Sequence, residues 1–200
     1  MTGTQRRDAG QAFPIYVVMV AGLLFLVFAF FAVGKASALR NGAQGAADAA
    51  ALAAASQARD EFQAGFLASL PEDLLSEYLQ AHPVGGCSAA SGLAEANQAQ
   101  LTGCIPFPGG REDRIKVSVK GDKPVDSSVL PGSKQTRAKA TATAVIKFRC
   151  SWTSVDLNDD SIRDIFFFTC GKDFLEIRPS SPPPWSQVSK ILYDVHLVDN

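Results

Sequence analysis

A chain of 200 residues with a formal net charge of −1 is long enough for one modest hydrophobic core, and it has no excess of basic residues to recruit nucleic acid. Its four cysteines, Cys87, Cys104, Cys150 and Cys170, form no Cys-x-x-Cys pair. That spacing argues against a zinc or thioredoxin-type motif and for two structural disulfides in an oxidising compartment.

Residues 1–11 read as a short polar tail with Arg6 and Arg7, and residues 12–34 as a transmembrane helix. Phe13–Gly34 contains no charged residue, and roughly 20 apolar residues at about 1.5 Å each match a bilayer core of about 30 Å. Arg6 and Arg7 on one side and Lys35 and Arg40 on the other nearly balance the positive-inside rule. The cysteines, all beyond the span, decide for an inside N-terminus and an extracytoplasmic C-terminal part. Ala36-Ser37-Ala38 has the small-x-small form of a signal-peptide cleavage site. The apolar run exceeds the about 7–15 residues of a signal peptide, so a retained anchor is expected.

Residues 35–70 read as an alanine-rich helical rod, continuing one helical stretch from Phe13 to about Leu70. Gly42, Ala46, Ala50, Ala54 and Ala58 recur every fourth residue, a row of small side chains that another backbone can approach closely. The occupant of that row is either the protein's own folded part or a partner helix. Asp48, which interrupts the alanines, reads as solvated or locally bonded.

Residues 71–200 read as an extracytoplasmic α+β domain. Ser69-Leu70-Pro71-Glu72 has the form of a capping box that opens a helix through about Gln80. Cys87 and Cys104 enclose Ser88–Leu101, where a short helix fits, and Pro106–Gly110 reads as a loop. Ile115, Val117 and Val119 alternate with polar residues as a half-buried strand, and Ala138–Arg149 is a second. Asp122–Gln135 connects them. Ile165–Thr169 and Phe174–Ile177 suit short strands, Ser180–Trp185 a stiff proline loop, and Val188–Val198 fits a helix and a strand equally. Four cysteines allow three pairings. The neighbour pairing, Cys87 with Cys104 and Cys150 with Cys170, is preferred because the second pair closes the ends of predicted strands.

The most site-like run is Asp156–Asp164. Asp156, Asn158, Asp160 and Asp164 offer oxygen ligands at spacings that suit Ca²⁺, although Ser161 stands where a turn glycine is usual and Phe167 where a glutamate would close the site. The competing reading is a polar hairpin loop between Ser151–Val155 and Ile165–Thr169. No other cofactor is expected. His82 and His196 read as surface or boundary residues. No GxSxG, HExxH, P-loop or GxGxxG context occurs, so an enzyme is not expected.

The order of basic tail, Gly10-Gln11-Ala12, apolar span, Lys/Arg patch and the run from Gln44 to Ala55 (QGAADAAALAAA) resembles the N-terminal region of the Flp pilus-assembly TadE/TadG-like proteins. The resemblance covers about residues 5–60, and Ile115–Lys120 and Ala138–Ile146 are similar to the two strands that often follow. Counting from Gln11, Ile15 occupies the fifth position, where processed pilin-like members carry Glu. Asp126-Ser127-Ser128-Val129-Leu130 departs from the DxSxS metal motif of longer relatives. The resemblance implies a structural role in pilus assembly, anchoring or adherence at the bacterial cell envelope. The departure at Ile15, with the long apolar run, makes the expected form a retained anchor in the cytoplasmic membrane. Its implied partners are the membrane, and a pilin, another Tad assembly protein or a second copy meeting the alanine row. The expected fold class is α+β and pilin-like: a long N-terminal helix, then short helices and a small antiparallel sheet with two disulfides. The alternative is a membrane-tethered binding module that recognises a ligand or cation.

Overall fold

The computed structural model describes residues 12–124 and 135–198. The expected tail 1–11, most of the connection Asp122–Gln135 and the Asp126–Leu130 run lie outside the described residues.

Helix α1 (Ala12–Glu61) has 50 residues, an axis of about 75 Å. Phe62 keeps helical angles, φ −66° and ψ −16°, and its N–H still reaches the Ala58 carbonyl while the Phe66 N–H reaches its own. Helical bonding therefore runs on into α2 (Gln63–Ser69), with one irregularity at Phe62. The capping box expected at Ser69 does not form. Ser69 is buried, and its hydroxyl donates back to the Phe66 carbonyl at 2.8 Å, closing the preceding helix. The chain turns through Asp73 at φ 58°, and α3 (Leu75–Ala81) begins only after this turn.

The loop to α4 (Cys87–Ala96) lies directly on α1. Gly86 sits at φ 93°, and a Cβ there would collide with the Ala54 carbonyl, so only glycine serves. Behind α4, β1 (Ala99–Phe107), β2 (Glu112–Pro124), β3 (Arg137–Phe148) and β7 (Tyr193–Val198) form an antiparallel sheet in the order β1-β2-β3-β7. Strand β1 replaces the expected loop at Pro106. It is an edge strand with a register shift between Leu101 and Gly103, and an edge tolerates a proline that cannot donate. The alternation on β2 buries Ile115, Val117 and Val119, and β3 turns Ala142, Ala144, Ile146 and Phe148 into the same core.

A second antiparallel sheet, β4 (Ser151–Val155), β5 (Ile165–Cys170) and β6 (Asp173–Ile177), contributes Phe166, Phe168 and Ile177. Phe66 of α2 joins the two layers, packing on Phe168 at 5.8 Å and on Trp185 at 5.4 Å between ring centroids. The end of the chain is helix and strand in turn: α5 (Trp185–Leu192) passes directly into β7. Each competing periodicity is realised in its own part of the segment.

Strand β3 follows α1 in the same direction. Near its start the Gln44 side-chain amide donates to the Thr141 carbonyl at 3.5 Å. Near its end Phe148 packs on Tyr193, and Tyr193 on Phe62, at 5.4 and 5.5 Å. Disulfides Cys87–Cys104 and Cys150–Cys170 tie α4 to β1 and the base of β4 to the end of β5. The result is an α+β fold with a long helix, short helices, antiparallel sheets and both neighbour disulfides.

Candidate functional site

Helix α1 is the feature that the rest of the chain serves, and its two lengths have different chemistry. From Phe13 to Val33 large apolar side chains project outward all round; Phe30 is 75% exposed and Phe13 76%. This length is long and apolar enough to cross a membrane. Apolar surface of this extent is unstable in water, and hydrocarbon removes the penalty.

The next length is alanine, and it is enclosed. Ala46, Ala50, Ala54 and Ala58 are buried, as are Ala47, Ala51 and Ala55 beside them; Gly42 is exposed with open space where a Cβ would stand. The protein's own β3, β2 and α4 lie against this length of helix. Alanine permits the approach because a methyl group is the only obstacle between the helix backbone and Ala142 and Ala144 across the interface. Asp48 takes a local bond from the Gln44 amide at 2.8 Å.

The acidic loop 156–164 holds itself together. One Asp156 oxygen accepts the N–H groups of Asn158 and Asp159 at 3.2 and 2.7 Å, and the other accepts the Ser161 N–H at 2.8 Å. Asp160 accepts the Ile162 N–H at 2.9 Å, and Asp164 the Leu157 N–H at 2.8 Å. The Asn158 amide donates to Asp160 at 2.9 Å. Desolvation pushes the Asp156 carboxyl up, but the N–H groups of Asp159, Ser161, Asn158 and Asp160 outweigh it and hold it below the usual aspartate range. Both Asp156 oxygens and one oxygen each of Asp160 and Asp164 are turned to the backbone. Among the described residues no group of three or more His, Cys, Asp or Glu side chains is placed to hold a metal ion.

His82 corrects the surface assignment made from sequence. It is 5% exposed, and its Nε2 lies 2.8 Å from Oδ2 of the equally buried Asp113. Its Nδ1 lies 3.1 Å from the Tyr78 carbonyl, and Asp113 Oδ1 accepts the Gly109 N–H at 2.9 Å. Carboxylate and carbonyl both only accept, so the ring satisfies both contacts as an imidazolium. Burial lowers the His82 pKa, but the hydrogen bond and charge of Asp113, with the Tyr78 and Leu79 carbonyls, outweigh it and the net direction is up. Burial, then the charge of Asp113, pushes the neighbouring Tyr78 hydroxyl up to about 12. No local pattern links His82 to a residue 31 positions on; the fold brings them together by laying the end of α3 on β2. His196 is exposed beside Asp194 at 2.9 Å. All four cysteines are in disulfides, so no thiol stands ready as a nucleophile.

The fold and the helix define a class: an α+β body built around the second half of a helix whose first half is apolar enough to cross a membrane. Within that class, the model of the Tad family, Flp pilus-assembly TadE/G-like, matches residues 10–57. The matched stretch is the one that carries the sequence resemblance, and it takes in both the apolar and the alanine lengths of α1. No curated protein and no solved structure matches the chain. The matched segment is similar to a family described as Flp pilus-assembly TadE/G-like, and that description names no enzyme activity.

Proposed function

We propose that this protein is a single-pass, membrane-anchored structural component of Flp/Tad-type pilus assembly in the bacterial cytoplasmic membrane. Its N-terminus lies inside and its folded body outside. One observation carries the reading: α1 passes without a break from an exposed apolar length into an alanine length locked in the body's own core, inside the segment matched to the family. A rigid helix of this kind transmits position from the membrane to the body, which a flexible linker cannot do. The two disulfides support an oxidising location for the body.

Deletion of the gene tests the role. Loss of surface fibres, restored by the full chain, is the expected result. Intact fibres with a lost binding phenotype would establish the tethered binding module instead.

A further inference from the structure

Charges are arranged differently at the two ends of the folded body. At the end far from the span, cations meet carboxylates: Arg114 and Lys147 flank Glu112 at 2.8 and 3.8 Å, and Arg149 reaches Asp173 at 3.3 Å. At the near end Arg40, Lys120, Lys123, Arg137 and Lys139 form no ion pair with a described residue. Lys120 and Lys139 stand directly opposite each other in the β2–β3 register. Like charges so placed destabilise a strand pair unless an anion lies near them. Among the described residues, Asp122 is exposed, and Asp48 and Glu95 accept from the neutral Gln44 and Ser91 side chains and keep their charge. Three carboxylates therefore stand against the five cations.

Geometry sets this group at the height of the membrane surface. The contact of Gln44 with Thr141 fixes helix and strand at one level. Nine residues back along α1 at about 1.5 Å each leads to Lys35, where the apolar span ends. Four residues back along β3 at about 3.3 Å each leads to Arg137. Both paths cover about 13 Å. A cavity of about 140 Å³ lined by Ala38, Gly42, Lys123 and Ala138 places the ends of β2 and β3 against α1 just beyond the span.

We propose that these five cations seat the folded body on the phosphate groups of anionic phospholipids in the leaflet from which α1 emerges. The inference rests on α1 being a membrane anchor. A lipid surface at this height supplies the missing counter-charge within a screening length of about 8–10 Å. Helix and basic rim together then fix the tilt of the body over the membrane, which the helix alone leaves free.

The test uses the full chain in nanodiscs of zwitterionic lipid, with and without an anionic phospholipid, read by amide hydrogen exchange. The expected result is about fivefold slower exchange at Lys120–Lys123 and Arg137–Thr141 in the anionic discs, lost at about 0.5 M salt. A variant carrying Lys120→Gln, Lys123→Gln, Arg137→Gln and Lys139→Gln should lose the lipid dependence and keep the exchange of β5 unchanged. Equal exchange of the wild type in both discs overturns the proposal whatever the variant does. So does slowing by inorganic phosphate alone in zwitterionic discs, which would make the ligand a free anion. A chain retained in both discs without lipid dependence sinks this inference alone; a chain that enters neither disc sinks the anchor with it.

Discussion

The two lengths of α1 are both apolar, yet their surroundings are opposite. Between Phe13 and Val33 the side chains are mostly Phe, Leu and Val, and they stand exposed; between Ala46 and Ala58 they are mostly alanine, and the row facing the body is shut in. Hydrophobicity alone does not decide which part of a helix is buried in protein. Size does: fluid lipid tails fit a side chain of any shape, whereas a sheet and a helix at close range present fixed surfaces packed to crystal-like density. The alanine length shapes the protein around itself, and the phenylalanine length leaves its shape to the bilayer.

The sharpest way to break the enclosed half is at its far end. His82 packs edge-on against Phe62 at 4.5 Å and holds Asp113. His82→Ala leaves a buried carboxylate with the Gly109 N–H as its remaining partner, and the expected loss is about 3–5 kcal/mol in chemical unfolding. The pair also predicts a pH dependence. Because the folded pKa of His82 is raised, its contribution is complete below the unfolded value of about 6.5 and fades as pH climbs through the folded value. The wild-type unfolding temperature should therefore fall across that upper window, and His82→Ala should flatten the fall. A wild-type curve with no decline there would count against the imidazolium.

Removing the Cys150–Cys170 bridge by paired Cys→Ser substitution should cost about 3 kcal/mol, since it frees a loop with a sequence separation of 20. The paired variant and the oxidised wild type compared in the same denaturant titration check the figure, with the Cys87–Cys104 bridge intact in both. A smaller effect is expected from Ala50→Leu, which adds three carbons where Ala50 is fully buried: about 1–3 kcal/mol by overpacking. Ala50→Leu with undiminished stability would mean that the row has room to spare and that its enclosure is loose.

Much of this architecture is legible in local pattern. The apolar span, the alanine row and the alternating strands β2 and β3 follow from period and composition, because each buries one face against a single neighbour. The misses arise where a distant partner decides. Strand β1 ends in Pro106 and Phe107, which read as the start of a loop until β2 pairs with them and leaves the proline on the edge. Ser69 and Glu72 have capping-box spacing, but burial of Ser69 under the body sends its hydroxyl back to Phe66. His82 followed by Pro83 looks like a loop residue, and only the placement of Asp113 gives it a buried partner. The alanine row is the instructive middle case: spacing identifies a close-packing face, whereas the occupant of that face is a tertiary fact.

The smallest expected effect probes the other half of the helix. Leu24 is 53% exposed in the apolar length, and Leu24→Ala removes three carbons, the reverse of the change at Ala50. In a protein core such a truncation costs about 2–5 kcal/mol, because neighbours cannot close the gap. Lipid tails can close it, so unfolding of the body in detergent or nanodiscs should shift by less than about 0.5 kcal/mol. Retention in the membrane should persist too, because roughly 20 predominantly apolar residues still span the core. If Leu24→Ala instead destabilised the body as strongly as Ala50→Leu, side chains near Leu24 would have to pack on protein. The contrast between the two halves would then be one of degree, with a second helix, from a partner or another copy, standing where lipid is assigned.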